Sequence, residues 1–160
     1  MTHLLESRVI QCPYNLARAY LDELIAPRAA SGEASTMTLT GHALPFEVSQ
    51  NVTVTFEAAT DPKHFEHPWR IRWTPPSAAY PDFDGELWVR ADETYAIARL
   101  EITGDYRPPG GMAGALFDRV AGKRIASATA QTLLEKLGSD MEARYRREED
   151  EKRREREHIS

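Results

Sequence analysis

The chain has one cysteine, Cys12, among its 160 residues, so no internal disulfide can form. It has no apolar run approaching the roughly 18 residues of a membrane-spanning helix, so no transmembrane segment of that kind is expected. Its first residues, MTHLLESRVIQCP, lack both a basic start and an unbroken apolar stretch, so no secretory leader is expected. Positive charge is not in excess. The 20 Lys and Arg stand against 25 Asp and Glu, a net charge of -5, which gives no electrostatic reason for a nucleic-acid partner. These absences together predict a cytoplasmic protein.

Ligating and nucleophilic groups are sparse as well. His64 and His67 lie in DPKHFEHPW with Asp61 and Glu66 nearby, but no second ligand pair is spaced to complete a metal site. No metal and no cofactor is expected. Cys12 stands beside Pro13 at a strand end, where a buried thiol is inert packing. No catalytic residue is assigned.

What is present is an ordinary globular composition, 41% hydrophobic and 28% charged, enough for one core. LLESRVIQC, from Leu4, reads as a strand. Pro13 then opens a short amphipathic helix to Ile25, with Leu16, Ala17, Tyr20, Leu21, Leu24 and Ile25 at helical spacing, and Pro27 ends it. STMTLTGHA, QNVTVTFEAA, HPWRIRWTPP, GELWVRAD and TYAIARLEITGDY follow as alternating strands with short connections, and AYPDFDG reads as an aromatic loop. Such a run predicts an antiparallel meander with one wet face. Arg70 and Arg72 fall on that wet face.

A long helix closes the chain. Leu116, Phe117, Val120, Ala121, Ile125, Ala128, Leu133, Leu134, Leu137 and Met141 make its apolar stripe. The domain is expected to span 1–143, with 144–160 a charged helical extension stabilised by Glu148–Lys152, Glu149–Arg153 and Asp150–Arg154 pairs. The first half of this helix is built of small residues: Ala113, Gly114, Ala115, Ala121, Gly122, Ala126, Ser127, Ala128 and Ala130. The sheet facing it carries bulk, including Phe56, Trp69, Trp73 and Leu100. Either the helix packs very close or a space remains. An idle apolar void of about 300 Å³ would cost about 7 kcal/mol at roughly 24 cal/mol per Å³, comparable to a whole domain's stability. A space of that size is therefore expected to be narrow, wet or occupied.

Three stretches carry a resemblance. Phe83, Gly85 and Leu87 form F-x-G-x-L. A strand ends in GDYRPPGG with GALFDR after it. The helix then reads R-I-A-x-x-T-x-x-x-L-L-E-K-L from Arg124. With the N-terminal strand and helix, this pattern resembles the SRPBCC or START-like superfamily over nearly the whole chain. That group includes polyketide cyclases and aromatases, coenzyme-Q-binding proteins and lipid-transfer domains. The resemblance implies an α+β helix-grip fold, a curved antiparallel sheet wrapped around a long C-terminal helix, with a hydrophobic pocket between.

The expected function is binding of a hydrophobic small molecule (a lipid, isoprenoid or polyketide-like compound) in that pocket. The proposed lining is Met37, Leu39, Phe56, Trp69, Ile71, Trp73, Leu87, Leu100, Phe117, Ala121, Ile125 and Ala128, with Tyr106 as a polar handle at the mouth. A polyketide cyclase or aromatase using the same pocket is the alternative. A third reading is an adaptor, or a homodimer rather than a monomer, built on the charged tail.

Overall fold

The structure, a computed structural model, describes residues 2–31, 35–43, 46–58, 68–74, 82–107 and 114–159. Side chains at 2, 30–31, 35–43, 46–52, 114–122 and 125 also lie outside the description.

Strand β1 (Thr2–Ile10) leads into helix α1 (Tyr14–Ser31), and five strands follow: β2 (Ser35–Ala43), β3 (Phe46–Ala58), β4 (Trp69–Thr74), β5 (Asp82–Ala91) and β6 (Ala98–Arg107). Helix α2 (Gly114–Ile159) ends the chain. The six strands form one sheet in the order β1-β6-β5-β4-β3-β2, every pair antiparallel. Period-two patterning fixes the faces. Val54, Phe56, Ile71, Trp73, Phe83, Leu87, Ala98, Leu100, Ile102 and Tyr106 are all buried on the inner side. Arg70, Asp84 and Arg99 between them are exposed.

Three sequence expectations are corrected. Pro27 does not end α1, which continues to Ser31 with Pro27 inside it. Proline removes one helical hydrogen bond, but the carbonyl it frees belongs to Glu23, four residues back, which is exposed and open to water. The aromatic loop is shorter than its composition suggests, because Asp82–Gly85 already belongs to β5. In the charged tail Lys152 pairs with Glu149 at 3.3 Å and Arg153 with Asp150 at 3.2 Å, both at i,i+3, while Glu148 bonds to Tyr20 and Arg144.

At its 46 residues α2 is about 69 Å long at about 1.5 Å per residue. Among the described residues its most extensive contacts with the sheet are to β1 and β2, the two edges, with fewer to β6. Laid flat, those edges would stand about 24 Å apart at about 4.8 Å per strand. One helix meets both closely because the sheet curls around it. Helix α1 covers the inner face at one end, against β3 and β5. Its first turn is held by the β5–β6 hairpin, where the Tyr95 carbonyl accepts the Tyr14 N–H at 2.9 Å and the two rings meet edge to face at 5.9 Å.

The C-terminal half of α2 is tied down by polar contacts. Gln131 donates to Glu6 at 2.9 Å, and Arg8 donates to Glu142 at 2.9 Å. The other Glu142 oxygen accepts the Gln11 backbone N–H at 2.8 Å. Gly138 makes room for this clamp, since a Cβ there would stand 1.7 Å from Arg8 Nη1. Tyr20 donates to Glu148, while Arg144 pairs with Glu23 and Glu148 and lies 4.5 Å over the Tyr20 ring. The helix runs unbroken through the expected boundary at residue 143, and Arg144 and Glu148 beyond it hold α1.

Two results are expected from this packing. Deleting residues 151–160 leaves the unfolding free energy within about 0.5 kcal/mol of the full chain, since the side chains of 151–159 are exposed. Gly85→Ala costs about 2–3 kcal/mol, because its Cβ would lie 2.3 Å from the Thr103 carbonyl oxygen and 2.8 Å from Gly104 Cα, both backbone atoms. Urea denaturation measures both.

Candidate functional site

The candidate site is the inner face of the curled sheet. Strand register sorts its side chains into cross-strand rows. Nearest α1, Trp69 on β4 pairs with Leu87 on β5, which pairs with Ile102 on β6. In the middle, Phe56, Ile71, Gly85 and Gly104 are aligned. At the far end, Val54, Trp73, Phe83 and Tyr106 stand side by side.

The far row is an aromatic wall. Trp73 and Phe83 stack with centroids 4.2 Å apart and planes 16° apart. The Phe83 ring lies over the cross-strand pair Gly85 and Gly104, and a Cβ on either would stand 2.5 Å and 2.8 Å from its Cζ. Glycine is needed at both positions because a ring occupies the space above them. Tyr106 is buried beside Phe83.

The predicted lining residues take different places. Phe56, Ile71, Trp73, Leu87, Leu100 and Tyr106 come together on the inner face, all buried. Trp69 is only partly buried and turns to α1, its indole N–H donating to Asp22 at 2.9 Å. Ala128 is partly buried on α2. Met37 and Leu39 lie on β2, and Phe117, Ala121 and Ile125 lie on α2, but their side chains are outside the described ones. His64 and His67 are outside the described residues altogether, as is the Pro108–Gly111 break. Residues that sequence reasoning left out of the lining are Phe83, Ile102 and, on α2, Ala126, Thr129 and Ala130, all buried. Phe83 had a signal in the F-x-G-x-L pattern, where a large ring precedes a residue with no side chain.

A groove of about 370 Å³ adjoins the aromatic wall. It lies on the outer face, against Arg72, Asp84 and Asp105, and borders Trp73 and Phe83, whose side chains are buried on the other side. Thr74, Asp82 and Arg107, at the ends of β4, β5 and β6, complete it. Asp84 accepts two bonds from Arg70, at 3.2 and 2.9 Å, and lies 3.4 Å from Arg72 Nε. The hydrogen bond from Arg70 holds the Asp84 carboxyl below its ordinary range. Asp105 lies 3.5 Å from His3.

Cys12 is fully buried, and its thiol is pushed up to about 11, first by burial and then by the charges of Glu142 and Glu148. The Tyr20 hydroxyl is raised by burial and by its bond to Glu148, and the same bond lowers Glu148. These groups join α1 to α2 and are remote from the aromatic wall in the sheet register. Among the described residues no cluster of His, Cys, Asp or Glu is arranged to hold a metal, and no helix is long and apolar enough to cross a membrane.

No protein-family model matches the chain, and no curated protein matches it by sequence. Solved structures do match. TTHA0849 from Thermus thermophilus superposes with a TM-score of 0.50 at 14% identity, over 89% of this chain and 98% of that one. The Zhui aromatase/cyclase from Streptomyces sp. R1128 superposes with a TM-score of 0.50 at 11% identity, over 89% of this chain and 94% of that one. At these identities the likeness concerns the fold. The chain has the helix-grip fold expected from its sequence, a curved antiparallel sheet around a long C-terminal helix.

Cys12 yields a prediction. Its raised value means that the folded state holds the thiol proton more tightly than the unfolded state does. That stability is fully present below the ordinary 9.0 and is lost as pH rises through about 11. Cys12 is expected to resist a thiol reagent at pH 7.5 in the native protein and to react at once in denaturant. Cys12→Ala is expected to flatten the loss of stability between about pH 9 and 11.

Proposed function

We propose that the protein binds a hydrophobic small molecule, a lipid, isoprenoid or polyketide-like compound, between the sheet and the N-terminal half of α2. The observation that carries this reading is the way α2 is held. It rests on the two edge strands of a curled sheet, while its buried residues nearest the N-terminus among the described ones are small: Ala126, Thr129 and Ala130. Small side chains opposite a concave apolar wall favour a hollow over a filled core. Binding there rests on area burial, at roughly 25 cal/mol per Å² of apolar surface. The contacts proposed from the sequence include Met37, Leu39, Phe117, Ala121 and Ile125, with Tyr106 as the polar handle. Cytoplasmic residence fits the lone buried thiol.

The cyclase or aromatase named for one structural neighbour would use the same space. The described residues around that space include the buried hydroxyls of Tyr106 on the sheet and Thr129 on α2. Glu6 and Arg8, the ionic groups of the inner face on β1, are bonded to α2. Proton transfer needs a positioned acid or base within reach of the substrate. The binding reading therefore stands first.

Protein purified from its own cells is expected to carry a retained apolar mass in native mass spectrometry, released by organic solvent. Ala121→Trp is expected to fill the space and weaken Nile red binding about tenfold or more, equal to about 1.4 kcal/mol, with the circular dichroism spectrum kept. Unchanged dye affinity in that variant, together with a bare wild-type mass, would overturn the reading.

A further inference from the structure

We infer that two copies of the chain pair through strand β1, edge to edge and antiparallel, about a two-fold axis at Ser7. This goes beyond the binding reading and does not depend on it. Strand β1 is an edge of the sheet. It pairs with β6 on one side and, among the described residues, with no strand on the other. An edge strand leaves a row of backbone N–H and C=O groups unpaired, and monomeric proteins blunt such edges with short strands, bulges, proline or charge. Strand β1 has little of this protection. It runs for nine residues, THLLESRVI, without proline, glycine or lysine. Its register with β6 advances one residue at a time, from Thr2 opposite Tyr106 to Ile10 opposite Ala98, so no bulge bends it.

The outer face of β1 also lacks cover. Leu5 is 59% and Val9 43% exposed, two of the four large apolar side chains so placed among the described residues. The other two are apart from each other: Tyr95 meets Tyr14, and Ile159 is the last residue of α2. Only on β1 do two share a face, with Ser7 between them.

The order of residues along β1 decides which occupant fits. A second copy turned about an axis perpendicular to the sheet presents the same strand reversed, and side chains directly opposite then lie on the same face. The axis must therefore pass through a residue. Centred on Leu5, the pairing sets Leu4 against Glu6; centred on Glu6 or Arg8, it sets that charge against itself. Centred on Ser7, every pair agrees: Leu5 meets Val9, Leu4 meets Ile10, Glu6 meets Arg8 and Ser7 meets Ser7. Apolar pairs and opposite charges directly across support a ladder, and like charges oppose one. Glu6 and Arg8 are already held in place by Gln131 and Glu142 of α2. The two charges that discourage a foreign apolar strand thus select this one. Two six-stranded sheets become one continuous sheet, with both concave faces on the same side.

Sedimentation velocity over a concentration series tests the pairing. The wild-type chain is expected to pass from monomer to dimer as concentration rises. Leu5→Lys and Val9→Glu, each at an exposed position, are each expected to weaken the dimer about tenfold or more. Mixed in equal amounts, the two variants set opposite charges together at one contact and leave Leu5 against Val9 at the other. The mixture is expected to dimerise more tightly than either variant alone. Ser7→Cys is expected to give a disulfide-linked dimer under mild oxidation, since residues directly opposite in a ladder stand about 4.5–5.5 Å apart at Cα, within the span of a disulfide. Cys12 is fully buried and does not compete. Should either charge variant fold poorly, the cross-link at this exposed serine decides. A wild-type chain still monomeric at about 0.2 mM, a dimer equally stable in both charge variants, or no cross-link in Ser7→Cys would overturn the inference.

Discussion

One helix is gripped by both edges of one sheet, and the rest of the structure follows from that constraint. Strands β1 and β2 are neighbours of α2 although four strands separate them in the sheet. The sheet satisfies both contacts by curling. Curling makes the inner face concave, and a straight helix cannot fill a concave face with small side chains. The C-terminal half of α2 avoids the problem with Leu133, Leu134, Leu137 and Met141, all buried. The N-terminal half, rich in Ala and Gly, is where the proposed pocket falls.

The two ends of the concave face are finished differently. At one end α1 is laid across it and fastened by Trp69–Asp22 and by the Tyr20, Glu23, Arg144 and Glu148 contacts with α2. Several of these are ion pairs at partly exposed positions, each worth about 0–1 kcal/mol. Their value is in fixing where the helices sit. Burial of Ala17, Leu21 and Ile25 supplies the larger share of the stability there. At the other end the aromatic wall stands on a pair of glycines. Removing two side chains from the sheet gives Phe83 a flat floor and lets it stack on Trp73.

The charged groups divide along the same lines. Asp84 with Arg70 and Arg72 keeps the outer face ionic at the groove. Glu142 binds Arg8 and the Gln11 amide, which places a carboxylate near the buried thiol of Cys12 and holds its proton on. Carboxylates lowered by their partners, Asp84 and Glu148, stabilise the fold above the ordinary carboxylate range and stop doing so as pH falls through their lowered values. Both are partly exposed, so water screens the effect.

Much of this was legible in the residues. Alternation over β3 to β6 determined which side chains face inward, because a strand offers only two faces. Helical spacing determined the stripe of α2, and the resemblance carried by Phe83–Leu87 and Arg124–Leu137 gave the grip. What only the tertiary structure decided are the long-range contacts. Trp69 alternates with Arg70 like a pocket residue, yet it meets Asp22, 47 positions earlier in the chain. Gly138 reads as a helix weakness until Arg8, from the first strand, is seen to need its space. Pro27 reads as a stop because the rule counts a lost hydrogen bond, and it cannot count the packing of Ile25 and Ala29 that carries α1 onward. Local periodicity fixes a residue's face. Which element arrives to cover that face depends on how a curved sheet and two helices share one core, a sum over contacts distant in sequence that no short window contains.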